Sequence, residues 1–142
     1  MTAKLSYDDV EVGTEVPAQT FQVQRLNLIQ YCGASGDFNV IHWNERVATS
    51  VGLPNVIAHG MFTMAQAGRY VTDWVGDAGA LVDFGVRFSA MVVVPDDDTG
   101  ATIEVSGTVE EKLDGNLVAV ALTARSGDAK VLSRARAVVR LP

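Results

Sequence analysis

The chain has 142 residues, 48% of them hydrophobic and 20% charged, and a net charge of −6. Its length suits one domain, 1–142, with a single core, and its composition is that of an ordinary soluble globular protein. The acidic balance argues against a nucleic-acid partner, and the lone Cys32 rules out an intrachain disulfide and points to a reducing cytoplasm.

The N-terminus, Met1 to Asp9, lacks the apolar stretch of a signal peptide. No apolar run approaches the ~20 residues that span a bilayer, so no membrane partner is expected. Tyr7 to Gly13 reads as a turn-rich entry. Thr20 to Gln24 alternates Phe21 and Val23 and predicts a short strand. Arg25 to Cys32 sets Leu28, Ile29 and Cys32 at helical spacing, and Gly33 and Gly36 are expected to end that helix. Asn44 to Val51 predicts a second short helix with Asn44 as its N-cap. The longest helical pattern runs from about Gly60 to Val75. Met61, Met64, Ala65, Gly68, Val71 and Val75 recur on one stripe, and Phe62, Ala67, Tyr70 and Trp74 make most of the remaining circumference apolar. Such a helix belongs inside the fold.

After Gly76 the period changes to two. Ala80, Val82, Phe84, Val86 and Phe88 form one apolar face. Ile103, Val105 and Val109 form the next; Val118, Val120, Leu122 and Ala124 another; Val131, Ala135, Ala137 and Val139 the last. Asp114-Gly115 and Gly127-Asp128 fall where hairpin turns are needed. The run Asp96-Asp97-Asp98 reads as a solvated loop. One buried helix, four antiparallel strands after it and one strand before it predict an α+β domain, its sheet wrapped round the helix in the hot-dog arrangement. An exposed edge strand has to be covered, so a dimer is expected.

The chemistry gathers at Gly36-Asp37-Phe38-Asn39-Val40-Ile41-His42. A carboxylate and an imidazole this close can orient one water and move one proton near neutral pH. The same pair also fits a bland reading, with Asp37 as a cap for the next short helix and His42 as a satisfied core histidine.

The run from Tyr31 to Ala48 resembles the signature of the MaoC-like, R-specific enoyl-thioester hydratases and dehydratases. Tyr31, Gly36, Asp37, Asn39, Ile41, His42 and Ala48 meet that signature. Val40 stands where the family usually has Pro, so this turn lacks the φ restriction a proline imposes. The similarity extends through Ala58-His59-Gly60-Met61 and Val86-Arg87-Phe88, and looks nearest to the catalytic subunit of actinobacterial two-subunit hydroxyacyl-carrier-protein dehydratases.

The resemblance implies reversible hydration of a trans-2-enoyl thioester to the (R)-3-hydroxyacyl thioester, on coenzyme A or a carrier protein, with no cofactor and no metal. It implies Asp37 and His42 as the catalytic dyad and the Gly60 backbone amide as the oxyanion donor. A helix start offers free N–H groups, and a glycine there admits a close approach. Asn39, Ser35 and His59 are expected to support the site, with His59 read as a core or interface histidine rather than a catalytic one. For Thr63 a structural role is preferred. Met61, Met64, Phe84 and Phe88 are candidates for an acyl tunnel, though core packing explains each of them. Arg87 and the Arg134/Arg136/Arg140 stripe read as a solvated strand face, with contact to a phosphopantetheine arm or an acidic carrier as the alternative. The partner is expected to be a second hot-dog subunit, in a homodimer or a heterodimer. The competing functions are a hot-dog thioesterase and a subunit of a heterodimeric dehydratase that needs a partner chain.

Overall fold

The computed structural model describes residues 5–142. Positions 1–4, on which part of the N-terminal reading rests, lie outside the described residues. The elements follow the chain as β1 (Glu15–Val23), α1 (Arg25–Ser35), α2 (Glu45–Ser50), α3 (Gly60–Val75), β2 (Leu81–Phe88), β3 (Ala101–Leu113), β4 (Leu117–Ser126) and β5 (Ala129–Arg140). The five strands form one antiparallel sheet in the order β1-β3-β4-β5-β2. This sheet packs against α3, the hot-dog arrangement the sequence predicts. No helix among the described residues is long and apolar enough to cross a membrane.

The helix α3 has the bounds the periodicity gives, and Gly76, at φ 80°, ends it in the left-handed conformation. Its buried side is Phe62, Thr63, Ala67, Gly68, Tyr70, Val71 and Val75. Two glycines weaken the helix by about 1 kcal/mol each relative to Ala. Burial of each large apolar side chain returns about 1.5–3 kcal/mol, so packing decides the helix. The expectation that it is greasy nearly all round needs correction. Ala65 and Arg69 lie on an exposed face together with Met61, which is 56% exposed, so Met61 packs into no core of this chain.

Other boundaries also move. β1 begins at Glu15, five residues before the predicted Thr20, because Pro17 sits in a register shift on an edge strand, where proline is tolerated. α1 runs through Gly33 and stops at Gly36, at φ 77°. Ile29, expected on its buried side, is exposed; Leu28 and Cys32 alone are buried. With so little burial, α1 depends on its start. Asn27 Oδ1 accepts from the Gln24 amide at 2.8 Å, and Arg25 donates to the Val94 carbonyl, Glu45 and Asn55. In β2 the strict alternation fails, since register shifts after Leu81 and Gly85 reset the phase. Leu81, Phe84 and Phe88 consequently approach α3, whereas Val82 is 46% exposed. The hairpin glycines take the positive φ their turns require, 75° at Gly115 and 55° at Gly127. The aspartate loop is a set of local caps, with Asp97 Oδ1 accepting from the Thr99 and Gly100 amides.

Candidate active site

Gly36 turns the chain out of α1 and aims Asp37 away from the helix axis. Each following residue is then held by a side chain of the same run. Ser35 Oγ donates to the Tyr31 carbonyl at 2.7 Å and accepts from the Asp37 amide at 3.1 Å. Asp37 Oδ1 accepts from the Asn39 amide at 3.1 Å, and Asn39 Oδ1 from the Ile41 amide at 3.3 Å. Asn39 thereby caps the single 3-10 turn Val40–His42. The cap is Asn39 rather than Asp37, which leaves Asp37 Oδ2 outside this set of backbone bonds.

His42, at the end of that turn, is buried, and its Nδ1 lies 2.7 Å from the Ile57 carbonyl. A carbonyl only accepts, so Nδ1 carries the proton and Nε2 presents its lone pair. Nε2 stands 4.0 Å from Asp37 Oδ2, whose side chain is 53% exposed. That gap is too long for a direct hydrogen bond. One oxygen placed about 2.8 Å from each atom would meet them at roughly a right angle. Hence the pair can hold a shared water or hydroxyl on its open side.

His59 lies beneath His42, the rings stacked with centroids 3.7 Å apart and planes 25° apart. Its Nε2 is 3.1 Å from the Asp37 carbonyl and 3.6 Å from Cys32 Sγ. Nε2 therefore donates to that carbonyl, and Nδ1 is buried with no partner among the described residues. Burial pulls its pKa below the ordinary histidine value, and the neighbouring His42 adds to the effect. The neutral imidazole of His59 thus holds the Asp37 backbone. Burial, with the Asp37 charge second, raises the Cys32 pKa, so this thiol stays protonated and is no nucleophile.

Asp37, His42 and His59 bring one possible metal-ligating atom each within 4.8 Å of one another. The set fits a metal poorly. Imidazole nitrogens ligate in the plane of the ring, and two stacked rings aim their lone pairs side by side rather than at one point.

Gly60, the first residue of α3, lines an open cleft of about 340 Å³ together with His42, Thr63, Phe88, Met91 and Val131. The imidazole and the amide-rich helix start therefore share one cleft. Thr63 is buried, with its hydroxyl 3.4 Å from the His59 carbonyl. Of the tunnel candidates, Phe88 reaches the cleft wall, Phe84 packs over Gly68, and Met61 is turned to the surface. The arginine stripe does not enter the cleft. Arg136 faces Glu110 and Glu111 at 3.4 Å, and Arg134, at φ 46°, is exposed. Sequence reasoning missed the Ile57 carbonyl that sets the His42 tautomer, because any residue type can supply a carbonyl there. It also missed Met91 and Val131, which line the cleft where the chain leaving β2 hydrogen-bonds to the Val131 carbonyl through Ser89 and Ala90.

Residues 9–127 match the family described as MaoC like domain. Among curated proteins, 3-hydroxyacyl-thioester dehydratase X of Mycobacterium tuberculosis is 37% identical over 79 residues, which are 56% of this chain and 27% of that protein. A solved MaoC-like dehydratase superposes with a TM-score of 0.92 at 38% identity, covering 96% of this chain and 42% of the other. The unliganded R-hydratase PhaJ1 of Pseudomonas aeruginosa superposes with a TM-score of 0.86 over 99% of this chain and 88% of that one; at 24% identity it speaks to the fold alone. The chain thus spans only about a quarter of the curated relative.

Proposed function

The chain belongs to the MaoC-like domain family, and from that premise we propose that it reversibly hydrates trans-2-enoyl thioesters to (R)-3-hydroxyacyl thioesters, carried on coenzyme A or a carrier protein. The observation that carries this reading is the free Nε2 of His42, 4.0 Å from Asp37 Oδ2, in the same cleft as the start of α3.

Hydration requires a water placed at the β-carbon, a proton delivered to the α-carbon and a donor to the enolate-like oxygen that forms between them. Asp37 and His42 supply the first two as a pair, through the water they share. His42 acts through Nε2, since Nδ1 is committed to Ile57. The Gly60 amide is the oxyanion donor. Only a side chain as small as hydrogen lets a thioester oxygen come close to that amide, and the helix dipole favours the charge that develops. Ser35 and Asn39 keep the turn in shape, and His59 pins the Asp37 carbonyl from below.

A second hot-dog subunit, in a homodimer or a heterodimer, completes the assembly. Support comes from β2, an edge strand with Val82 half-exposed, and from Met61 on the outer side of α3. The test follows the ultraviolet absorbance of crotonyl- and longer enoyl-coenzyme A with wild type, Asp37→Asn and His42→Ala. Each substitution is expected to lower kcat/KM by about 10²–10⁴-fold, the usual worth of general acid–base catalysis, with the fold retained. Full activity in either variant removes the dyad, and release of free thiol from the thioester makes the chain a thioesterase instead.

A further inference from the structure

Phe88 is the last residue of β2, on the edge of the sheet, and it is 49% exposed. An exposed aromatic on an edge is usually idle surface. This one is placed otherwise. Three of its ring carbons lie 3.2, 3.3 and 3.4 Å from the point where a Cβ on Gly60 would stand. The ring rests on the first residue of α3, inside the cleft that His42 enters. Met91, Val92, Val131 and Ile57 give that cleft an apolar lining around it. Phe88 is its bulkiest side chain and stands beside the helix start.

We propose that Phe88 is the residue that determines which acyl groups the site accepts, its ring closing the cleft beside Gly60 and limiting the enzyme to short acyl chains. This rests on the hydratase reading above. With the thioester oxygen at the Gly60 amide and the α- and β-carbons beside His42 and Asp37, carbons further along the chain meet the wall that Phe88 helps to form. The cleft, at about 340 Å³, lies near the lower end of the ~300–1,000 Å³ usual for small-molecule sites. Each methylene that gains apolar cover tightens binding roughly fourfold, so removing the ring changes the length profile rather than the chemistry.

The experiment measures kcat and KM for trans-2-enoyl-coenzyme A of four, six, eight and twelve carbons, with wild type, Phe88→Ala, Phe88→Leu and Phe88→Trp. The wild type is expected to favour four carbons. In Phe88→Ala the eight-to-four-carbon ratio of kcat/KM should rise at least tenfold, chiefly through KM. Phe88→Leu should move the ratio in the same direction by about fourfold, which keeps the test open if the alanine variant fails to fold, and Phe88→Trp should lower it. Parallel changes at all lengths, or a wild-type profile already flat to twelve carbons, overturn the proposal while leaving the hydratase reading in place. A folded, homodimeric wild type inactive at every length overturns both.

Discussion

Val40 occupies the first position of a 3-10 turn whose shape is imposed by neighbouring side chains. A helix start leaves that amide outside the helical bonding, and Asn39, at φ −55° and ψ 125°, already has the extended backbone that a following proline requires. Val40→Pro should therefore raise stability by about 0.4–1 kcal/mol, mainly by restricting the unfolded chain, as read by the urea midpoint. His59 sets a different test at the same scale. Burial lowers its folded pKa beneath the unfolded value of roughly 6.5, so its contribution to stability is complete above that pH. As pH falls through 6.5 the unfolded chain takes a proton that the native ring refuses, and stability declines. Between pH 7.5 and 5.5 the denaturation midpoint of the wild type should fall more steeply than that of His59→Gln. Of the proposed site residues, Asp37, Asn39 and His42 stand out in the sequence by residue type and spacing, and Gly60 by the family resemblance. The Ile57 carbonyl and the His42–His59 stack were not, because each joins residues that sequence order keeps apart.

Among the elements, α3 was read to its terminal residues because Gly76 stops it and its apolar period is strong. α1 was read from its first residue, Arg25, but it runs three residues past the predicted Cys32 and exposes Ile29, since only two of its residues are buried and hydrogen bonds rather than an apolar face hold it. What ties α3 to the irregular stretch of β1 is Tyr70, whose hydroxyl donates to the Val16 carbonyl at 2.8 Å and whose pKa burial raises to about 12. Tyr70→Phe removes that bond and leaves a buried carbonyl without this donor. The expected cost is about 1–2 kcal/mol, seen as a fall of a few degrees in the melting temperature. Activity should change little, because Tyr70 lies outside the cleft that His42 and Gly60 line.

For the whole molecule the consequential feature is the unpaired edge of β2, with Val82 half-exposed on it. A lysine on an edge strand hinders pairing with another chain. Val82→Lys should consequently shift the sedimentation of the proposed dimer towards monomer, with the circular dichroism spectrum retained. A wild type that sediments as a monomer at all concentrations, with no second subunit supplied, would leave only the heterodimer.

The amino-acid sequence alone determined the antiparallel strands, the helix they wrap and the acid–imidazole turn, since each is written in local period, turn chemistry or residue type. Tertiary structure alone decided that Met61 faces outward, that bulges rephase β2, and that Phe88 comes to rest on Gly60. Those outcomes depend on contacts between distant segments, and a local pattern specifies which side chains seek cover without specifying what will cover them.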